Sequence, residues 1–457
     1  MNAPRIRPAT PSLLWKNWDA VARKKSRAVA VIEAETGKIW SRAELAAWAN
    51  SLAAGPLARA AGECVGFSLP NSAEWIVVFI ALQRVGAAAI PLDPSLTARQ
   101  QDALADALKL KFVWRDGRLH TTCAAPRAAR SMRVGKLTSG STGARRLVRC
   151  TAAHLIADGA NIVRTMRLRP SDRNLALIPL GHSYGLGNLV APLLGQGTPV
   201  ICVRAFVPRQ IPGWIKKHDA TVLPTVPAVL RLLAALPGRA RLVPLRLVIS
   251  AGARLPAETA SDFTGRFGLR VHNFYGSSET GGVCYDRSGG GSARRETVGT
   301  ALEGVTVALT PRGRIRVRSG AVAAGRAGAH TLPDFGKFHP RGELEIIGRA
   351  GRVANIGGRN LHPREIETQL ARVPGVSDAW VQVLVKSGRD YLVAAVETAR
   401  PRGEIIAAFS QLVAPWQRPR YWLVLPRLPR NERGKLDAPA LRARLAAADF
   451  TATDARV

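Results

Sequence analysis

Several familiar devices are missing from this 457-residue chain. Its five cysteines (Cys64, Cys123, Cys150, Cys202 and Cys284) are scattered, with no Cys-x-x-Cys spacing. That argues against a zinc site or a disulfide framework and fits a reducing cytoplasm. No uninterrupted run of about 18 apolar residues occurs, so no transmembrane helix is expected. Met1 to Trp15 is basic but has no long apolar region ending in a small-residue cleavage site, so it does not read as a secretory signal. Neither G-x-x-x-x-G-K-[ST] nor G-x-G-x-x-G is present, since Gly185-Leu-Gly-Asn-Leu-Val190 lacks the third glycine. No internal repeat of about 20 to 50 residues appears. Acidic residues are scarce: 32 Asp and Glu stand against 66 Lys and Arg, for a net charge of +34. Such an excess favours acidic partners, whether nucleic acid, a phosphorylated cofactor or an acidic protein. The bland alternative is arginine spread over solvated faces.

What is present is an ordinary globular composition, 47% apolar, in a chain long enough for two or more domains. Ser41 to Leu52 reads as a helix, with Ser41 and Glu44 forming a capping box. Cys64 to Leu69 reads as a buried strand, Asn71 to Val85 as a helix and Ala87 to Leu92 as a strand, which is a parallel βαβ unit. Alternation continues. Strands are expected at Leu147–Cys150, Asn174–Leu180, Pro199–Val203, Leu245–Ser250 and Val271–Phe274. Helices are expected at Thr151–Met166, Leu186–Leu194 and Val226–Leu236. The fold class is therefore α/β, a large N-terminal α/β domain. From about Arg287 the texture changes, and Ser288-Gly-Gly-Gly-Ser292 reads as a linker or mobile loop. After Arg349 a small α+β unit is expected. The domains are placed at residues 1–349 and 350–457.

Five stretches carry candidate chemistry. Lys136-Leu-Thr-Ser-Gly-Ser-Thr-Gly-Ala-Arg-Arg-Leu147 sets hydroxyls between glycines, so that backbone N–H groups are exposed to cradle an anion. Gly181-His-Ser-Tyr-Gly185 matches the Gly-x-Ser-x-Gly of a nucleophile elbow, making Ser183 a candidate hydrolase nucleophile. Tyr275-Gly-Ser-Ser-Glu-Thr280 offers Glu279 to Mg²⁺ among phosphate oxygens, or is a turn with an exposed Glu. Asp334 is suited to accepting ribose hydroxyls, or is a turn aspartate after Pro333. Trp416-Gln-Arg-Pro-Arg-Tyr-Trp422 interleaves aromatics with arginines, as single-strand nucleic-acid platforms do, although a strand of the small domain is preferred.

The order of the first four of these stretches, followed by Gly348-Arg349, Gly357-Gly358 and Gly434-Lys435, resembles the adenylate-forming superfamily of acyl- and aryl-CoA synthetases, peptide-synthetase adenylation domains and luciferases. The resemblance covers nearly the whole chain. It implies a large domain with a small mobile C-terminal domain, and an ATP- and Mg²⁺-dependent ligase that joins a carboxylic acid to a thiol. Thr138, Ser139, Gly140, Ser141, Thr142 and Gly143 would then hold the β- and γ-phosphates. Ser250 to Arg254, with Gly252 and Ala253, would form the adenine-side loop, and Tyr275 beside Gly276 would pack on the adenine. Ser278 would contact the α-phosphate or the substrate carboxylate, and Glu279 would bind Mg²⁺. Asp334 would hold the ribose, with Arg349 close by. Lys435 would bridge the carboxylate, ribose and α-phosphate. His182 would gate the thiol tunnel, which Gly357 and Gly358 would line. Ser183, Tyr184, Phe274 and Gly281 would wall the acyl pocket.

His182-Ser-Tyr-Gly-Leu-Gly-Asn188 is similar to the corresponding stretch of benzoate and hydroxybenzoate ligases. An aromatic acid such as a hydroxybenzoate is the implied substrate, with a fatty acid as the alternative. The acceptor is CoA or the phosphopantetheine of an acidic acyl carrier protein; no nucleic-acid partner is expected, and the location implied is cytoplasmic. The chain departs from the family pattern in three places. Its loop ends Gly143-Ala-Arg-Arg146 where Gly-x-Pro-Lys is usual, Leu332-Pro333-Asp334 replaces Thr-Gly-Asp, and Gly351 takes the hinge position.

Overall fold

The computed structural model describes residues 10–447 except 123–128, 140–144, 239, 292–296, 325–326, 350–353, 357–358, 362, 387–388, 432–433 and 435. The chain divides into two compact units, residues 1–307 with 316–330, and residues 308–315 with 331–457. The division thus falls upstream of the boundary expected near Arg349, because Ala329–Phe338 pairs antiparallel with Leu344–Arg349.

The first unit holds two sheets. In the nine-stranded sheet the parallel run is Val271–Ser277, Leu247–Ser250, Val222–Thr225, Asn174–Ala176, Val200–Cys202 and Val29–Glu33, in that spatial order. Antiparallel strands close both edges. In the six-stranded sheet Phe112–Arg115, Cys64–Phe67, Ala88–Pro91 and Val134–Ser139 run parallel, flanked by antiparallel Arg118–Thr121 and Arg145–Cys150.

Alternation along each strand sorts side chains between layers. Val31, Ala176, Val200 and Cys202 join a core that also takes Val65, Phe67, Ala89 and Val134 from the other sheet. Their neighbours Ile32, Leu175 and Ile201 face a second core, and Cys64, Ala88 and Ile90 a third. Between the sheets lies helix Ala73–Arg84, buried along Trp75 to Gln83. A helix apolar all round suits only such a position. Its N-cap is Ser72, which accepts the Trp75 N–H, and Glu33 accepts the Ala73 N–H at 2.9 Å. The expected capping box at Ser41 and Glu44 is also formed.

The second unit contains a three-stranded sheet of Val376–Lys386, Arg389–Thr398 and Tyr421–Leu425, with helices Pro363–Leu370, Arg402–Ser410 and Ala438–Ala447. Leu392, Ala394 and Val396 pack with Ile366, Ile405 and Phe409, while Val393 and Ala395 pack on the other face with Leu441 and Leu445. Tyr421 and Trp422 are buried in these cores, and the Trp422 indole donates to the Pro419 carbonyl at 2.9 Å. Both aromatics are therefore packing groups and form no exposed stacking platform.

Candidate active site

Strands Val134–Ser139 and Arg145–Cys150 pair antiparallel, Lys136 with Val148, Thr138 with Arg146 and Ser139 with Arg145. Thr138 and Ser139 are thus the last residues of a strand. Gly140, Ser141, Thr142 and Gly143 lie outside the described residues. Lys136 sits two positions before Thr138 and shares its face of the strand. Its side chain is only 3% exposed. Its ammonium donates to Ser183 Oγ at 3.2 Å and stands 4.0 Å from Asp158 Oδ2.

Ser183 opens a short helical turn that continues as a π-helical stretch, Leu186–Val190. Strand Asn174–Ala176 ends well before it, so there is no sharp strand-to-helix elbow. A Cβ at Gly185 would run into the Pro179 carbonyl, which fixes glycine there. Ser183 Oγ meets the Ser277 carbonyl at 3.5 Å. A serine that accepts from an ammonium has no base in that group, and the elbow reading loses its geometric basis. His182 is half-buried, with extended backbone, and accepts the Leu186 N–H at 2.7 Å. Tyr184 donates to the Ile249 carbonyl at 3.1 Å, and its ring lies 5.7 Å from that of buried Phe274.

The strand after Leu269 runs further than the sequence suggested, through Ser277, so Phe274, Tyr275 and Gly276 are on it. Residues 278–280 then turn the chain into antiparallel Gly281–Tyr285. Ser277 Oγ holds the turn by accepting the Thr280 N–H at 3.2 Å. Ser278 and Glu279 are half-buried, and the Glu279 carbonyl accepts the Ala323 N–H at 2.9 Å. Gly281, with φ +70°, faces Asp158, whose Oδ1 accepts the Gly282 N–H at 2.9 Å.

Charge is concentrated here. Burial pushes the Asp158 carboxyl up, against the opposing pull of Lys136 and the Gly282 N–H. Burial and Lys136 together hold His154 down. The buried Cys150 thiol is pushed up by burial, with Lys136 lowering it and Asp158 and Glu279 raising it. Among the described residues no group of three or more His, Cys, Asp or Glu is gathered for a metal. A single half-buried carboxylate such as Glu279 is a donor of the kind that Mg²⁺ takes together with phosphate oxygens.

At the carboxyl ends of the parallel strands, Thr225 and Ser250 lie side by side, and both buried hydroxyls lack a hydrogen-bond partner among the described residues. That end of an open α/β sheet is where ligands usually bind. Ser250 is followed by Gly252 at φ +78° and by Ala253, so the expected adenine-side loop leaves the sheet at this point.

In the second unit Asp334 is not in a turn. It lies within strand Ala329–Phe338 and pairs with Arg349. Ala354–Ile356 and Arg359–Leu361 pair around the positions of Gly357 and Gly358, which themselves lie outside the described residues. Lys435 and Gly351 lie outside them too. Gly434, at φ +68°, donates to the Asn431 carbonyl, and Arg430 bridges Leu436. The stretch expected to be a glycine linker instead wraps a carboxylate: Asp286 accepts the Ser288 and Gly291 N–H groups.

Lys136 and Asp158 escaped the motif reading. The signal for Asp158 was an acid on the stripe Leu155, Gly159, Ile162, which is buried. For Lys136 it was a charge set between Val134 and Leu137 in a strand.

The family model described as AMP-binding enzyme matches residues 18–136 and 125–320. The chain is 25% identical over 447 residues to a 3-[(3aS,4S,7aS)-7a-methyl-1,5-dioxo-octahydro-1H-inden-4-yl]propanoyl:CoA ligase of Mycobacterium tuberculosis, covering 82% of this chain and 87% of the relative. It is 27% identical over 439 residues to a feruloyl-CoA synthase of Amycolatopsis sp, with the same coverage, 82% and 87%. The fold is that of ATP-bound MatB from Rhodopseudomonas palustris, at a TM-score of 0.82 and 23% identity, over 95% of this chain and 99% of that one.

Proposed function

This chain belongs to the AMP-binding enzyme family, the adenylate-forming superfamily, and on that premise we propose that it is an AMP-forming CoA ligase whose acid is aromatic. The observation that supports this best is the meeting at Ser183 of three stretches distant in sequence: the hairpin through Lys136, the turn at His182 and the Ser277 loop. The aromatic pair Tyr184 and Phe274 favours a ring over an aliphatic chain. The feruloyl-CoA synthase relative favours the same class.

In this reading Thr138 to Gly143 hold the β- and γ-phosphates through backbone N–H groups, and Arg146 adds fixed charge. Ser250, Gly252, Ala253, Tyr275 and Gly276 take the adenine side, and Ser278 the α-phosphate or carboxylate. Glu279 holds Mg²⁺, which when bound supplies positive charge against the approach of two anions. Asp334 takes the ribose, with Arg349 beside it. Lys435 stabilises the charge that develops as the carboxylate attacks the α-phosphorus. Ser183, Tyr184, Phe274 and Gly281 enclose the acid. His182 gates the thiol, and Gly357 and Gly358 line its path. The domain of residues 350–457 turns between the two half-reactions about a hinge at Gly351.

The acceptor is CoA or a phosphopantetheinyl carrier protein; the net charge of +34 steers either acidic partner. Incubation with ATP, Mg²⁺ and hydroxybenzoate, with CoA in one arm and a phosphopantetheinylated acidic carrier in the other, tests this by mass spectrometry. The expected product is an acyl thioester in at least one arm. No thioester in either, with labelling of Ser183 by a fluorophosphonate, contradicts the ligase reading.

A further inference from the structure

We propose that Lys136 and Ser183 together recognise a ring hydroxyl of the aromatic acid, and that Asp158 is a positioning residue for the Lys136 ammonium. This rests on the reading of Ser183, Tyr184, Phe274 and Gly281 as the wall of the acid site.

The case begins with burial. Lys136 is 3% exposed and Asp158 3%, so neither charge is solvated. An ammonium has three N–H donors. Among the described residues, one donates to Ser183 Oγ, and the nearest carboxylate oxygen stands at 4.0 Å, beyond hydrogen-bond reach. A buried donor left unfilled costs roughly 1–3 kcal/mol, more when charged. A pair serving only as a staple would close to a charge-assisted hydrogen bond of about 2.7–2.9 Å. Here Asp158 is drawn instead to the Gly282 N–H at 2.9 Å, and Gly281 packs against it. The ammonium is left turned to Ser183.

The chemistry of the acceptor follows from charge balance. Lys136 and Asp158 already neutralise each other. A second carboxylate or a phosphate placed on Lys136 would leave net negative charge in a buried pair, which is costly. A neutral hydroxyl oxygen fills an open N–H without that cost. It also offers its own proton to Ser183 Oγ. The Tyr184–Phe274 ring pair, taken as a wall of the acid site, favours an aromatic ring as the bearer of that hydroxyl. Sites built to bond a substrate hydroxyl reject the analogue lacking it strongly, because their polar groups are then left unpaired.

The test compares kcat/KM for 3- and 4-hydroxybenzoate with that for benzoate, in acid-dependent ATP–pyrophosphate exchange by the full-length enzyme. The wild type is expected to favour one hydroxylated acid by about 100-fold or more. Lys136→Met should shrink that ratio at least tenfold while the KM for ATP holds, Ser183→Ala should shrink it less, and Asp158→Asn should shrink it with partial rescue by Asp158→Glu. A ratio measured within one preparation is insensitive to the folded fraction. If Lys136→Met does not fold, the wild-type ratio and Ser183→Ala decide. Equal use of benzoate by the wild type overturns the inference and leaves the ligase reading intact. An equal loss for all acids in Lys136→Met also overturns it, pointing to a staple or a contact with the reacting carboxylate. Exchange with no acid at all removes the ligase reading, and this inference with it.

Discussion

Gly282 donates its backbone N–H to Asp158 Oδ1 at 2.9 Å, tying residues 124 positions apart in the sequence. Through this bond the helix Ala152–Met166 holds the hairpin that carries Ser278 and Glu279. Asp158→Ala removes the bond and leaves the Lys136 ammonium buried without its counter-charge. Losing one partner of a buried pair costs about 3–5 kcal/mol. Urea denaturation of the purified variant should show a loss of that size; a loss under about 1 kcal/mol would mean the pair is not buried in solution.

Gly276 predicts a functional defect without a comparable loss of stability. A Cβ there would sit 2.6 Å from the Gly281 carbonyl oxygen, a backbone atom that cannot rotate away. Gly276→Ala must therefore displace the turn carrying Ser278 and Glu279. Misplacement of about 1 Å near reacting groups can cost roughly 100-fold in rate. The expected result is a loss of adenylation of that order with a melting temperature close to wild type.

Asp172 predicts an acid limit. Burial alone would push its carboxyl up, but hydrogen bonds from Arg246, the Arg169 N–H and Thr221, with the Arg246 charge, hold it below the ordinary value of 3.8. A folded-state value below the unfolded one contributes stability that is present above pH 3.8 and lost as pH falls through the lowered value. Unfolding free energy should therefore drop on acidification through that window. In Asp172→Asn this component should be absent, and the variant should be less stable at neutral pH by roughly 1–3 kcal/mol.

Lys435→Ala separates the two half-reactions. Adenylation should collapse, while thioester formation from supplied acyl-adenylate survives. Equal loss of both would contradict the role proposed for Lys435.

Much of the architecture was legible in the sequence, for identifiable reasons. The helix expected at Asn71 to Val85 is Ala73–Arg84, because Ser72 supplies a cap and the run that follows is apolar. Strands expected at Cys64–Leu69 and Ala87–Leu92 form at Cys64–Phe67 and Ala88–Pro91. Local pattern failed where pairing between distant strands decided the outcome. Pro333 suggested a turn, yet Asp334 lies in a strand because Leu344–Arg349 pairs with it. Ser288 to Gly291 looked like a linker, yet Asp286 gathers its N–H groups. Leu186–Leu194 was expected to be a helix, and its first five residues, Leu186–Val190, are π-helical. The Lys136–Ser183–Asp158 cluster was invisible because its members come from a strand, a helical turn and a helix with no local signature linking them.

Acid-dependent ATP–pyrophosphate exchange, measured over a panel of aromatic and fatty acids, tests the central claim most directly. The account predicts isotope passing from labelled pyrophosphate into ATP only when a suitable acid and Mg²⁺ are present, with hydroxylated aromatic acids the most effective. Absence of exchange with every acid, from an enzyme that is folded by circular dichroism, would contradict it.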